Sequence, residues 1–423
     1  MKKRSNIFSL LLFGIIYPFG GLIYSIRNFR LPASKYLFVI FCAFFGSVLI
    51  FQRGGSDSNL DAGHYAYLFE QAYFWDNIGP VEFYNKLSSH DRLDFFNPFV
   101  TYIFSRISGN PHFYFTVIGL IFGFFYANNV WDVIKYSKRS FNIYTALLLV
   151  AFVLICSFDT IGTVRMHTAF QVFFYGIFSY LISGNKKRLI WVPLSILFHF
   201  SMFSMVGAVL LYFIVNKFDA RILFIYFIVA HLVNELDLGI IHRLFSFMPQ
   251  DVGDRLSAYS SEDNLLKLQE SGKFYLSNAN LWARIDSMII RSYILVQTIV
   301  LFIAGNFKLI KLPDLTRLLK FSLVLYGTAL ILANLPSGYR YMTLAGMFFM
   351  SYYVLLYNRY GILMKQNLVI TMKLFSPLMI VFVIKSLRNI LDATSIFVFI
   401  GNFITSMFFH IDIPIVDLFK RLL

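Results

Sequence analysis

An all-α, polytopic integral membrane protein is the fold class that the sequence predicts, on three observations. The chain is 58% hydrophobic and 14% charged, with 51 Phe, 26 Tyr and a mean hydropathy of +0.66; soluble domains carry about a quarter charged residues. Apolar runs recur along the whole chain at the length needed to cross a hydrocarbon core of about 30 Å, roughly 20 residues. Lys and Arg fall in short clusters between those runs, as the positive-inside rule requires. The net charge of +15 therefore does not point to nucleic acid. Cys42 and Cys156 each lie inside an apolar run and read as small core residues, not as a disulfide or a metal site. No CxxC, HExxH or GxxxxGK[ST] pattern is present, so zinc hydrolysis and P-loop chemistry have no support.

The N-terminal "MKKRSNIFSLLLFG" resembles the start of a signal peptide, but no small-residue cleavage site follows. We expect an uncleaved first span at 7–26. Further spans are expected at 34–51, 111–134, 141–158, 164–183, 221–236, 287–304, 318–335, 341–357, 367–385 and 391–409, about eleven in all. The segment 189–216, "LIWVPLSILFHFSMFSMVGAVLLYFIVN", is too long for one helix and too short for two, and it carries Pro193 and His199. It reads as a re-entrant or broken hairpin, which membrane depth tolerates only where it is buried in protein or lines a cavity. The segment 94–107, "DFFNPFVTYIFSRI", is expected not to cross. The whole chain, 1–423, reads as a single polytopic domain.

Orientation follows from the short loops. "KYSKR" (135–139), "NKKR" (185–188), "KLIKLPDLTRLLK" (308–320) and "NRYGILMK" (358–365) are basic and are expected inside. The long segments 52–110 and 237–286 then face outward and should carry loop helices. "MKKR" and "RNFRLPASK" (27–35) both favour the inside, which a single crossing at 7–26 forbids; the later loops favour an external N-terminus.

Ionised groups are costly at membrane depth, so those at span ends are candidates for function. Arg53 ends the second span, Arg165 starts the fifth, Arg284 precedes the seventh, Arg291 lies inside it and Arg340 starts the ninth. All five fall at the outer face, which the positive-inside rule depletes. Arg284 and Arg291 are seven apart and share a helix face. One such arginine is readily explained by snorkelling to headgroups. Five together point to a bound anion, because the guanidinium fork suits phosphate oxygens.

In "FQRGGSDSNLDAGHYAYLFEQAYF", Arg53, Asp57, Asp61 and Tyr65 recur at every fourth residue and would form one helical stripe. Gly54, Gly55 and Gly63 weigh against a continuous helix. Asp57 or Asp61 could act as a base, or the acids could simply balance Arg53. His199, in "LFHFS", is either a packed core residue or a third candidate base. His167 points about 200° from Arg165 on a helix, so both face one ligand only if the helix breaks, which Gly162 and Thr163 permit. Arg165 ranks above His167. In the second outer segment, "GDRLSAYSSEDNLLKLQE" places Arg255 and Tyr259 four apart, ahead of a short amphipathic stretch.

Three of these stretches resemble the EpsG-type polysaccharide polymerases, a branch of the Wzy-like O-antigen and capsule repeat-unit polymerases. They are "QRGGSDSNLDAGHY", "VRMHTAFQVFFYGIFSYLISGNKKRLIWVPLSILFHFS" and "DRLSAY", the middle one being the most specific. The resemblance spans most of residues 35–345. It departs from the family at Gly162 and Met166, where Asn and Gln are common.

The resemblance implies a glycosyltransferase of the bacterial inner (cytoplasmic) membrane, acting at its outer face in O-antigen, capsule or exopolysaccharide synthesis. Such enzymes transfer a glycan from an undecaprenyl-pyrophosphate carrier onto a lipid-linked repeat unit. Asp57, Asp61, His199 and Arg165 would be catalytic. Arg53, Tyr65, Arg255, Tyr259, Arg284, Arg291 and Arg340 would bind substrate pyrophosphate. The implied partners are undecaprenyl-pyrophosphate-linked oligosaccharides, membrane lipid, and a chain-length regulator and flippase of the same pathway. No cofactor and no metal is expected. Other readings stay open: a single-sugar transferase using a polyprenyl-linked donor, a lipid-linked oligosaccharide flippase or transporter, and a membrane acyltransferase with His199 as base.

Overall fold

The computed structural model describes residues 7–51, 61–75, 78–88, 94–233, 281–304, 307–312, 314–334, 338–409 and 411–422. Among them every regular element is helical, apart from one antiparallel bridge between Leu49 and Thr394. Four helices are long and apolar enough to cross a membrane: Pro111–Tyr136, Ile143–Thr163 (with its 3-10 extension), Ile285–Ile303 and Gln366–Asp392. One apolar core runs from Phe38 to Ile415. Many large apolar side chains face outward, among them Leu374 (70% exposed) and Ile303 (74%). A helical core that exposes so much hydrocarbon suits a lipid environment.

The first helices are α1 (Ile7–Ile16), α2 (Pro18–Arg27) and α3 (Pro32–Ser47). The span expected at 7–26 is not a single crossing. Pro18 occupies the first turn of α2, where its missing N–H costs nothing, and the chain bends at Tyr17. A Cβ at Gly21 would lie 3.1 Å from Gly14 Cα, and both glycines sit against Leu37 of α3. Thus α1 folds back along α2, which removes the premise for an external N-terminus.

The described residues of segment 52–110 carry α4 (Asp61–Tyr73), α5 (Pro80–Ser88) and α6 (Phe96–Ser105). They share a small core of Leu68, Ala72, Phe83 and Leu87, closed by Arg106, which donates to Trp75 O at 2.6 Å. With ten residues, α6 is about 15 Å long, half the thickness of a hydrocarbon core. Next, α7 (Pro111–Tyr136) packs on α3 at close range. A Cβ would meet Phe115 O at 2.0 Å from Gly46 and Cys42 O at 2.4 Å from Gly119, so glycine is required at both. Small residues of this kind bring helix backbones together where lipid removes the hydrophobic drive.

Then come α8 (Ile143–Ile155), a 3-10 turn (Phe158–Thr163), α9 (Met166–Ser183), α10 (Trp191–Phe198) and α11 (Met202–Val215). The segment 189–216 is the broken hairpin that its length and Pro193 predict. His199 is extended (φ −151°, ψ 119°) and ends α10. Near the entry, Arg188 pairs with Asp132 at the end of α7; at the tip, Tyr341 donates to Ser201 O; near the exit, Lys320 donates to Asn216 O. The hairpin therefore enters and leaves at one face and has its tip at the other.

The remaining helices among the described residues are α12 (Ala220–Leu232), α13 (Leu281–Ile303), α14 (Phe307–Ile310), α15 (Thr316–Leu332), α16 (Tyr341–Tyr360), α17 (Gln366–Asp392), α18 (Phe397–Ile400), α19 (Phe403–Phe408) and α20 (Ile415–Leu422). The span expected at 391–409 is not a helix that crosses. Asn402 breaks it by capping α19 through Ile404 N and Thr405 N, each at 3.0 Å. These residues instead cover the end of α3: Ser406 donates to Ser47 Oγ at 2.8 Å, and Asn110 donates to Met407 O at 3.2 Å.

The basic loops gather at one face. Arg139 N donates to Asn358 Oδ1 at 3.0 Å, Arg359 Nε donates to Tyr136 O at 2.7 Å, and Lys138 and Arg359 both pair with Asp314. The loop 27–31 joins them, since Trp131 Nε1 donates to Phe29 O at 2.9 Å.

Candidate functional site

The site begins with a strained backbone step. Buried Val164 has φ +54° and ψ −59°, and Arg165 N donates to Thr163 O at 2.6 Å. This is a γ-turn of the rare positive-φ form, and a β-branched residue there costs on the order of 1–3 kcal/mol. Its effect is to break the chain immediately before Arg165, which becomes the N-cap of α9. The helix break falls at Val164, one residue past the Gly162–Thr163 position that the sequence permits.

The Arg165 guanidinium is then held on two sides. Nη1 forms an ion pair with Asp94, and Nε donates to the Tyr65 hydroxyl at 2.5 Å. The guanidinium also lies 5.6 Å from the Tyr65 ring centre. Tyr65 is buried on α4, so it positions Arg165 and its hydroxyl is already engaged. Asp94 is buried at 3% exposure, and its other oxygen accepts from Phe200 N at 2.6 Å. Phe95 N adds a bond to Leu197 O at 3.2 Å. Asp94 thus ties the start of α9 to the hairpin tip.

At that tip, Ser201 N donates to His199 Nδ1 at 3.2 Å, and Ser201 Oγ contacts the same nitrogen at 2.8 Å. A backbone N–H can only donate, so Nδ1 accepts and the neutral ring carries its proton on Nε2. His167 is the opposite case. Its Nδ1 contacts Thr163 Oγ1 at 2.7 Å, and that hydroxyl gives its hydrogen to Thr160 O at 2.8 Å. His167 Nδ1 must then donate, which leaves a lone pair on Nε2. Both tautomers are assigned from the hydrogen-bond network.

Arg340 comes from the far end of the sequence, at the start of α16. Gly338 makes its placement possible: a Cβ there would lie 1.8 Å from Leu332 O. Arg340 Nη1 lies 4.0 Å from Met166 Sδ, and its charge reaches both His167 and His199. It makes no salt bridge with a carboxylate among the described residues. Its neighbour Tyr341 donates to Ser201 O at 2.8 Å, which fixes Arg340 relative to the hairpin tip.

No protein-family model, no curated protein and no solved structure matches the chain. The site therefore stands on its own geometry. It offers one committed arginine, one arginine without a carboxylate partner, an N–H donor at His199 and a lone pair at His167. All four gather at the face opposite the basic loops.

Of the residues expected from sequence, Arg165, Tyr65, His199 and Arg340 come together. Asp61 stands exposed at the start of α4, within electrostatic reach of Arg165 and His199. Arg53, Asp57, Arg255 and Tyr259 lie outside the described residues, as does the Arg284 side chain. Arg291 is exposed on α13, and its charge acts on His231 and Tyr326. Of the expected polar stripe, only Asp61 and Tyr65 lie among the described residues, both on α4. Sequence reasoning missed Asp94, Tyr341 and the lone pair of His167. Asp94 carried one signal, an acid directly ahead of an apolar segment read as non-crossing.

Proposed function

We propose that the chain is a polysaccharide polymerase. It transfers a glycan from an undecaprenyl-pyrophosphate carrier onto a lipid-linked repeat unit, at the outer face of the bacterial inner membrane. In the reaction the bond between the donor's anomeric carbon and the pyrophosphate oxygen breaks. A new bond forms to an acceptor hydroxyl oxygen, whose proton goes to a base, and undecaprenyl pyrophosphate departs. The observation that supports this reading is the convergence of Arg340, Arg165 and the His199 N–H at the tip of a re-entrant hairpin. Donors fixed in place before reaction stabilise charge on a leaving group without reorganisation. Arg340 is assigned to the pyrophosphate and His199 Nε2–H to a second phosphate oxygen. Asp61 or His167 is assigned as base. Asp94 and Tyr65 hold Arg165 in place.

The reading includes a topology. The basic-loop face is assigned to the cytoplasm, with α3, α7, α8, α9, α12, α13, α15, α16 and α17 crossing. These nine replace the eleven expected, because α1–α2 folds back and 391–409 breaks. The chain then ends outside.

The test is Arg340→Ala and Arg165→Ala in a strain lacking the native gene, with surface glycan run on a gel and protein quantified in membranes. Loss of the ladder to a single capped repeat unit, with protein present, supports polymerisation. A full ladder from both variants removes the arginine assignment, and a ladder surviving deletion of the gene removes the polymerase reading.

A further inference from the structure

On the face opposite the candidate site, a cavity of about 420 Å³ opens between the loop 27–31, the end of α7 and the loop 137–142. Four of its lining residues are cations: Arg30, Lys135, Lys138 and Arg139. All four are exposed, and no acid lines the cavity. Two carboxylates stand beside it, each already paired: Asp314, 3.7 Å from Lys138 and bound to Arg359, and Asp132 on α7, bound to Arg188. The end of α7 contributes a partial negative charge of about half a unit, which is small against four full positive charges. A positive surface of this size attracts anions.

The cavity is also built in advance. Trp131 Nε1 holds Phe29 O at 2.9 Å, and the Phe29 and Phe141 rings pack edge to face at 6.0 Å. The Arg139 backbone is clamped on both sides by Asn358, with bonds of 3.0 and 3.1 Å. None of these contacts uses a charged side chain of the four. Beside the lining residues in sequence stand exposed apolar side chains, Leu31 (40% exposed) next to Arg30 and Ile143 (79%) two residues after Phe141. A cationic pocket with an aromatic wall and an apolar rim matches an amphiphile better than a soluble ion.

We propose that this cavity binds the phosphate headgroup of an anionic glycerophospholipid, with its acyl chains passing over Leu31 and Ile143. The site is separate from the Arg165 face and does not depend on what that face does. Juxtamembrane cations gather anionic lipid in this way. Inorganic phosphate shares the same headgroup chemistry, so the experiment separates the two sources.

The full-length protein is placed in nanodiscs of phosphatidylcholine, alone or with phosphatidylglycerol. Melting and lipid retention by native mass spectrometry are read for the wild type, for Arg30→Gln/Lys135→Gln, and for Lys420→Gln/Arg421→Gln as an equal-charge control. Expected is retained phosphatidylglycerol on the wild type and the control, a raised melting temperature, and roughly tenfold or greater loss of retention in the Arg30/Lys135 variant. Neither side chain makes a hydrogen bond or salt bridge among the described residues, so the variant should melt like the wild type in phosphatidylcholine alone. Equal retention by that variant overturns the proposal. So does protection by millimolar inorganic phosphate that phosphatidylglycerol does not exceed.

Discussion

Asp94 binds Arg165 with one carboxylate oxygen and the hairpin tip, at Phe200 N, with the other. The Asp94 side chain is 4% exposed and that of Arg165 is 17%. A buried pair of this kind adds little net stability over an apolar pair, but breaking it strands a charge. Asp94→Ala should therefore cost about 3–5 kcal/mol, seen as an early melting transition of the detergent-solubilised protein. The double variant Asp94→Leu/Arg165→Met should regain most of that stability and still make no glycan ladder. A double variant that melts as early as Asp94→Ala would show that the pair is not what fails.

The two histidines should respond differently to glutamine. The glutamine side-chain amide presents a donor near the Nε2 position but cannot serve as a base. His199→Gln should keep a measurable ladder, because the N–H that meets phosphate is replaced in kind. His167→Gln should lose the ladder if its lone pair takes the acceptor proton, and keep it if Asp61 is the base. Loss in His199→Gln, with the protein present in the membrane, would reverse the tautomer assigned to His199.

Much of the fold was legible where the physics is local. The broken hairpin follows from its length, Pro193 and the cost of burying irregular backbone. Arg165 announces itself as a charge beside a long apolar run. Two spans were misread because hydropathy averages over the residues that break helices. Pro18 with Gly14 and Gly21 folds 7–26 back on itself, and Asn402 interrupts 391–409 although its surroundings are apolar. Asp94 was not legible as a site residue, since its partner lies 71 residues away and no local pattern links them. Val164 could not be foreseen at all: valine is disfavoured at positive φ, and only the packing around it sustains that conformation.

Gly338 controls Arg340. A Cβ 1.8 Å from Leu332 O cannot be accommodated without moving the turn that carries Arg340 and Tyr341. Gly338→Ala should reduce the ladder about as strongly as Arg340→Ala. It should also loosen the Tyr341–Ser201 bond, which limited proteolysis near the hairpin tip would detect. An intact ladder in Gly338→Ala would mean that the position of Arg340 is not critical.

The topology makes a separate prediction. In the proposed topology the chain does not cross again after α17, so the end of α20 and Arg165 lie on the same face. An alkaline phosphatase fused after Leu423 should be active in cells, and a green fluorescent protein at the same point should stay dark. A further crossing at 391–409 would give the opposite pair of signals.

On the basic face, Asp314 accepts from Tyr360 at 2.6 Å and from Arg359 at 2.5 Å, with Lys138 at 3.7 Å. Burial alone would raise its carboxyl. The hydrogen bond from Tyr360 and the charge of Arg359 outweigh burial and hold it below the usual carboxylate range. An unfolded aspartate titrates near 3.9. A group depressed on folding contributes its full stabilisation above that value and loses it as pH falls through the folded pKa. Asp314→Asn should therefore melt earlier than the wild type at pH 7, by about 2 kcal/mol, the scale of hydrogen bonds to a charged group. Below about pH 4 the gap should begin to shrink, and it should close as pH falls through the depressed folded pKa, where the wild type loses the same charge by protonation. Melting curves of both proteins between pH 7 and pH 3 read this directly. A gap that stays constant down to pH 3 would place the contribution of Asp314 in its shape and not in its charge.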